Sequence, residues 1–181
     1  AFTSKDWTGY YVKLTHEKTE LALDLVSDIL RNSTFPKAEI EKERGAVIAN
    51  AVKLLEDRGD LFKFLLKAET GQPATIVDIM QYGAAVSGLQ YYATAAEKFT
   101  WKDIRDGIYG QTLVLREPIG VVGAVVAWNV PLFLACNKLG PALLAGCTVV
   151  LKPAAETPLC ANALADVFSE AGLPEGVLSV V

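Results

Sequence analysis

Two features of the 181-residue sequence predict an α/β fold, with a helical N-terminal region followed by half of a doubly wound parallel sheet. From Ile119 onward, apolar strand-like runs alternate with helix-like runs. That is the pattern of a parallel sheet covered by helices on both faces. Upstream, between Leu21 and Lys98, apolar residues recur at helical spacing instead. A chain of this length has room for one medium domain or two small ones.

The elements follow in order. Gly9 to Leu14 (Gly-Tyr-Tyr-Val-Lys-Leu) combines aromatic and β-branched residues suited to a strand. Leu21, Leu25 and Ile29, with Ala22, Val26 and Leu30, make the apolar stripe of an amphipathic helix. Pro36 suits the first turn of a second helix, which carries Ile40, Val47, Ala51, Leu54 and Leu55 on one face. Its stripe stays in phase through Gly45, so one continuous helix is expected from about Pro36 to Asp57, packed against the helix carrying Leu21, Leu25 and Ile29. Asp60 suits the N-cap of a shorter helix with Leu61, Phe64 and Leu65, stopped by Thr70-Gly71. Thr75 and Asp78 have capping-box spacing and would open a third helix reaching about Lys98. Ile76, Ile79, Met80, Ala84, Ser87 and Tyr91 would form its apolar face. Strands are expected over Tyr109–Arg116, Ile119–Ala127, Thr148–Leu151 and Val177–Val181, with helices over Pro131–Leu144 and Pro158–Ala171.

Composition removes several function classes. Apolar residues make up 51% and charged residues 21%, which places the chain among globular proteins. The formal charge of -4, with no Lys/Arg run, argues against nucleic acid and anionic membrane as partners. The longest apolar stretch, Ile119 to Trp128, is too short to span a bilayer, and Ala1 to Trp7 shows no signal-peptide pattern. Cys136, Cys147 and Cys160 lack paired spacing, which favours free thiols in a reducing cytoplasm. The lone histidine, His16, lies in the polar run Thr15–Glu20 and cannot by itself supply a His-rich zinc site. No metal site is expected. Only Gly9 precedes Gly45, and charge is denser on the same side, so a composition boundary falls near Arg44–Gly45. The expected segments are 1–44, a helical 45–106, and 107–181 as the first half of a dinucleotide-binding domain.

Several motifs carry chemistry. They are Arg116-Glu-Pro-Ile-Gly-Val-Val-Gly123, Ala127-Trp-Asn-Val-Pro131, Lys138-Leu-Gly-Pro-Ala-Leu-Leu-Ala-Gly146, Thr148-Val-Val-Leu-Lys-Pro153 and Ala171-Gly-Leu-Pro-Glu-Gly-Val-Leu178. In this order, together with Val47–Phe99 and its Glu69-Thr-Gly71, they resemble the N-terminal and cofactor-binding part of the aldehyde dehydrogenase superfamily. The resemblance implies a Rossmann-like fold and a parent reaction, the NAD- or NADP-dependent oxidation of a small-molecule aldehyde to a carboxylic acid. It assigns Asn129 to oxyanion stabilisation, Lys152 to the adenosine ribose hydroxyls, and Trp128 to the cofactor's side. Val130 and Asn137 match substrate-tunnel positions, and Lys138 matches a lysine common in the family. NAD-preferring members often carry a glutamate where this chain has Ala155, with Glu156 one residue later. Alanine does not repel a 2′-phosphate. The family's nucleophile and general-base glutamate match no position up to Val181. The expectation is therefore a truncated chain, inactive alone, with a weak, incomplete cofactor site, and a homo-oligomer as its assembly.

Residues 1–44 carry a second resemblance. Ala1-Phe-Thr-Ser-Lys-Asp-Trp-Thr-Gly-Tyr-Tyr11, Ala22-Leu-Asp-Leu-Val-Ser-Asp-Ile-Leu30 and Ile40-Glu-Lys-Glu-Arg-Gly45 are similar to the insulinase and mitochondrial-processing-peptidase family of zinc metallopeptidases. The chain has no H-x-x-E-H, and the third-ligand position falls at about Asn50, a poor zinc ligand. That resemblance makes a chimera the expected organisation. A non-catalytic engineered or chimeric scaffold, or a remnant of a metallopeptidase-family domain, is the alternative function.

Overall fold

The computed structural model describes residues 2–3, 8–9 and 37–181, with side chains from Arg44 onward. The chain divides into two compact units, Ala1–Ile40 and Glu41–Val181. In the first, β1 (Phe2–Thr3) pairs antiparallel with β2 (Thr8–Gly9), Phe2 opposite Gly9. The strand expected from Gly9 to Leu14 lies outside the described residues except for Gly9 itself. So do the helix from Leu21 to Leu30 and its contact with the next helix.

Helix α1 runs unbroken over Lys37–Asp57, through the expected composition boundary at Arg44–Gly45. Ile48, Ala51, Val52 and Leu55 are its buried face, while Val47 and Leu54 pack at the margin. Gly45 has a reason beyond tolerance. A Cβ there would lie 2.8 Å from the Cβ of Ala96, so only glycine lets the two segments approach this closely. Helix α2 (Gly59–Thr70) begins one residue before Asp60, which stands in the first turn, where its carboxylate still faces the favourable end of the helix dipole. Phe62 and Leu66 are its buried anchors, each stabilising by about 1.5–3 kcal/mol relative to exposure.

The next helical segment differs from its expected form in cap and face. Short α3 (Ala74–Ile76) follows Pro73 and merges into a π-helical stretch, Val77–Gly83, and then α4 (Ala84–Ala95). No side-chain cap forms at Thr75, because the helix already begins at Ala74 with Pro73 at its cap, so Thr75 stands inside the first turn; Asp78 pairs with Lys63 of α2 at 3.7 Å. Val77, Gln81, Ala85 and Leu89 are buried, while Ile76, Ile79, Met80 and Tyr91 are exposed. The wider π turn is the cause: it offsets the drift of an α-helical i+4 row and keeps one straight row of every fourth residue against the core.

Strand β3 (Lys102–Gly107) pairs antiparallel with β4 (Gly110–Leu115) around the exposed tip Ile108–Tyr109. No strand signal marks β3, since Ile104 is its single large apolar residue. β5 (Val121–Val125), β6 (Thr148–Lys152) and β7 (Leu178–Val180) form a parallel sheet in that order. Helix α5 (Pro131–Ala145) connects the first pair and α6 (Leu159–Glu170) the second. This is the α/β fold expected, with one correction. Ala124, Val149 and Leu151 are buried beneath the helices, whereas Val121, Val125 and Lys152 on the opposite face are exposed. Both crossovers step the same way across the sheet, and right-handed crossovers in one direction put both helices on one face. Among the described residues the sheet is covered on that face alone.

Candidate functional site

The parallel sheet positions the expected site residues at one edge. Val125 is opposite Lys152 in the β5–β6 ladder, and the Val126 N–H continues it to the Lys152 carbonyl at 3.0 Å. The segment leaving β5 (Trp128, Asn129) and the one leaving β6 (Lys152 to Glu156) therefore depart side by side from the C-terminal ends of adjacent strands. In open α/β sheets that end is where ligands bind.

Asn129 is exposed, and among the described residues its carboxamide has no protein partner. Its backbone carbonyl, in contrast, accepts two hydrogen bonds, from Gln72 Nε2 at 2.8 Å and Gln81 Nε2 at 3.3 Å. Val130 follows at the helix cap with extended φ, and Pro131 opens α5, where its missing N–H is harmless. Trp128 is 54% exposed beside it. Lys152 is exposed, and its ammonium donates to the neighbouring Pro153 carbonyl at 3.3 Å. Ala155 and Glu156 are exposed in a turn closed by the Thr157 N–H on the Ala154 carbonyl at 3.1 Å. Half-buried Val130 adjoins Asn129, while Asn137 and Lys138 are exposed about two turns along α5.

The three cysteines are free and buried. Burial pushes the Cys136 thiol far above its ordinary range. Cys160 is pushed up by burial first and then by a hydrogen bond with the Glu69 carboxylate. A neutral thiol is a poor nucleophile, so neither can act as one here.

Gln72 and Gln81 carry no signal of their own in the sequence. Gln72 directly follows the Glu69-Thr-Gly71 motif, and Gln81 is a fully buried amide within a helical run. The motif itself is structural at both ends. Glu69 accepts from the Leu159 and Cys160 N–H groups, capping α6, and Gly71 takes φ +66° at the end of α2.

Comparison with known proteins bears on both resemblances. A family profile described as "Aldehyde dehydrogenase family" matches residues 21–181. Geranial dehydrogenase of Castellaniella defragrans is 33% identical over 180 residues, covering 99% of this chain and 37% of that protein. Aldehyde dehydrogenase 1 of Tanacetum cinerariifolium is 35% identical over 165 residues, covering 91% and 33% respectively. The crystal structure of Mycobacterium tuberculosis aldehyde dehydrogenase complexed with NAD+ superposes with TM-score 0.76 at 59% identity, covering 91% of this chain and 34% of that one. The chain thus spans about a third of the length of the curated relatives it matches. The metallopeptidase resemblance finds no support in these comparisons. The family match begins at residue 21, well before the expected seam, and one relative aligns across 99% of the chain. The peptidase-like strings are short, none longer than Ala1–Tyr11, and so carry far less than a match that runs the length of the chain. A continuous match from residue 21, a helix unbroken through Arg44–Gly45 and the parallel sheet all agree: this chain belongs to the aldehyde dehydrogenase family.

Proposed function

We propose that this chain supplies the adenosine-binding edge and the oxyanion donor for NAD(P)-dependent oxidation of an aldehyde to a carboxylic acid. One observation carries the reading: the Val125–Lys152 pairing sets the Asn129 and Lys152 segments together at the C-terminal edge of the sheet. The residues there fit a dinucleotide. Lys152 is exposed and, among the described residues, engaged with nothing stronger than a neighbouring carbonyl, so it can donate to a ribose diol, and Trp128, on the segment leaving the adjacent strand, is 54% exposed. Ala155 leaves room for a 2′-phosphate without repulsion, which supports NAD and NADP alike. When bound, the cofactor supplies the hydride acceptor. Asn129 offers amide N–H groups to the oxygen that gains negative charge when a thiolate adds to an aldehyde. One such donor is worth about 2.7–4 kcal/mol of barrier. Cys136, Cys147 and Cys160 are all buried away from this edge's exposed residues, so none of them offers an accessible thiolate, and this chain alone should oxidise no aldehyde.

The aldehyde is the small-molecule partner in this reading, and buried free thiols suit a reducing, cytoplasmic setting. A homo-oligomer is supported by the β3–β4 hairpin, where Ile104, Ile108, Tyr109 and Leu113 are exposed.

Calorimetric titration tests the cofactor half. NAD+ and NADP+ should bind weakly and within about threefold of each other, and Lys152→Ala should weaken both about tenfold, the loss of one hydrogen bond to a charged group. Tight NAD+ binding with clear rejection of NADP+, or binding indifferent to Lys152→Ala, overturns the reading.

A further inference from the structure

We propose that Gln72 and Gln81 are positioning residues that clamp the Asn129 peptide. The inference rests on the reading of Asn129 as oxyanion donor and deepens it. The Asn129 carbonyl oxygen, which can only accept, faces two carboxamide N–H groups at 2.8 and 3.3 Å, and Gln81 Nε2 also donates to Gln72 Oε1 at 2.7 Å. That pattern orients all three groups: the carbonyl draws both Nε2 atoms, and Gln72 Oε1 is left to accept from Gln81. Two donors on one carbonyl fix the plane of the peptide joining Asn129 to Val130, and with it the direction in which the Asn129 side chain leaves the backbone.

The clamp is itself anchored. Gly71 turns the chain with φ +66° at the end of α2, and Thr70 Oγ1 accepts the Gln72 N–H at 3.3 Å while donating to the Leu66 carbonyl at 2.6 Å. Glu69 ties the same turn to the start of α6. The Glu69–Gln72 turn therefore joins two elements that the sheet alone would not hold against each other. Gln81 adds an independent sign. It is 0% exposed, and among the described residues its Oε1 has no partner. An apolar residue would fill that space without stranding an acceptor, so what distinguishes glutamine there is its donor. A side chain displaced by about 1 Å can lower a rate of order 10²-fold, which is why such a clamp bears on catalysis.

The test reads the peptide and not the reaction, so it can fail while the oxyanion role of Asn129 stands, and the reverse. In 15N relaxation measurements on the full chain, Asn129 and Val130 should show order parameters near about 0.85. Gln72→Glu and Gln81→Glu keep the shape but remove the donors, and should lower both values below about 0.6 and move the Asn129 side-chain amide resonances. Strands β5 and β6 should stay rigid. Gln72→Lys restores a donor and should restore the order. Gln81 is fully buried, so Gln81→Glu can unfold the chain; Gln72 is half-buried, and Gln72→Glu decides the matter without that difficulty. Unchanged order at Asn129 and Val130 in Gln72→Glu, or a loss of order spread evenly through the sheet, overturns the proposal.

Discussion

The two sheets of the Glu41–Val181 unit use similar residues to opposite ends. In the parallel sheet Val149 and Leu151 are at most 1% exposed beneath α5 and α6. In the β3–β4 hairpin Ile104 is 60% exposed, Leu113 51% and Leu115 49%. Side-chain type does not distinguish these positions; what packs over them does. A two-stranded hairpin is at best marginal on its own, so its apolar residues add little until something covers them. The parallel sheet earns its stability from helices that the same chain supplies.

The largest expected effect lies under those helices. Leu151→Ala should cost about 2–5 kcal/mol, since a fully buried leucine leaves both lost transfer energy and a cavity. Urea denaturation measures it; a loss under about 1 kcal/mol would mean that the covered face is not the core. Next is Glu69→Ala, which removes the acceptor for the Leu159 and Cys160 N–H groups. About 1–2 kcal/mol should go, with hydrogen exchange rising first at the start of α6. Exchange rising uniformly, or not at all, would show that this end of the helix finds its partners elsewhere.

A third effect depends on pH. The folded chain holds the Cys136 thiol far above its usual range, whereas the unfolded chain ionises it near about 8.5. Unfolding then releases a proton, so stability is full below about pH 8.5 and falls as pH rises above it. The slope from one such thiol is about 1.4 kcal/mol per pH unit. Cys136→Ala should flatten the decline by that amount, measured as midpoint against pH from about 8 to 10. A slope unchanged by the substitution would place the ionising group elsewhere.

Legibility in the sequence followed the same division between covered and uncovered regions. Pro131–Ala145, Thr148–Lys152 and Leu159–Glu170 lie within about a residue of their expected bounds, because burial demands apolar runs whose period shows. β3 could not be read, since an exposed strand of Lys, Asp and Arg needs no pattern. The face of the third helix was read from an ideal α period, which the π stretch does not keep. Thr75 and Asp78 have the spacing of a capping box, but the helix opens one residue earlier, after Pro73, and spacing alone does not fix a helix's first residue. The same holds at the site. Asn129 and Lys152 stood out because motifs surround them, whereas the Gln72 and Gln81 contacts exist only once residues 48 and 57 positions apart meet.

The smallest effect is the one that separates the two sheets most sharply. Leu113→Ala on the hairpin should change the stability of the dilute chain by no more than about 0.5 kcal/mol, as for a surface site. That near-silence is the counterpart of Leu151→Ala, the same substitution on a strand of the same unit. The proposed homo-oligomer predicts that the silence will not last. Association stabilises the fold by mass action, so the melting temperature of the unsubstituted chain should climb with concentration. Leu113→Ala, by thinning the exposed apolar strip, should weaken that climb while leaving the dilute melting temperature in place. Melting curves at two concentrations about a hundredfold apart, with and without the substitution, measure both. If the unsubstituted chain melts at one temperature throughout, the hairpin is not covered by a second copy, and its exposed leucines call for a different partner.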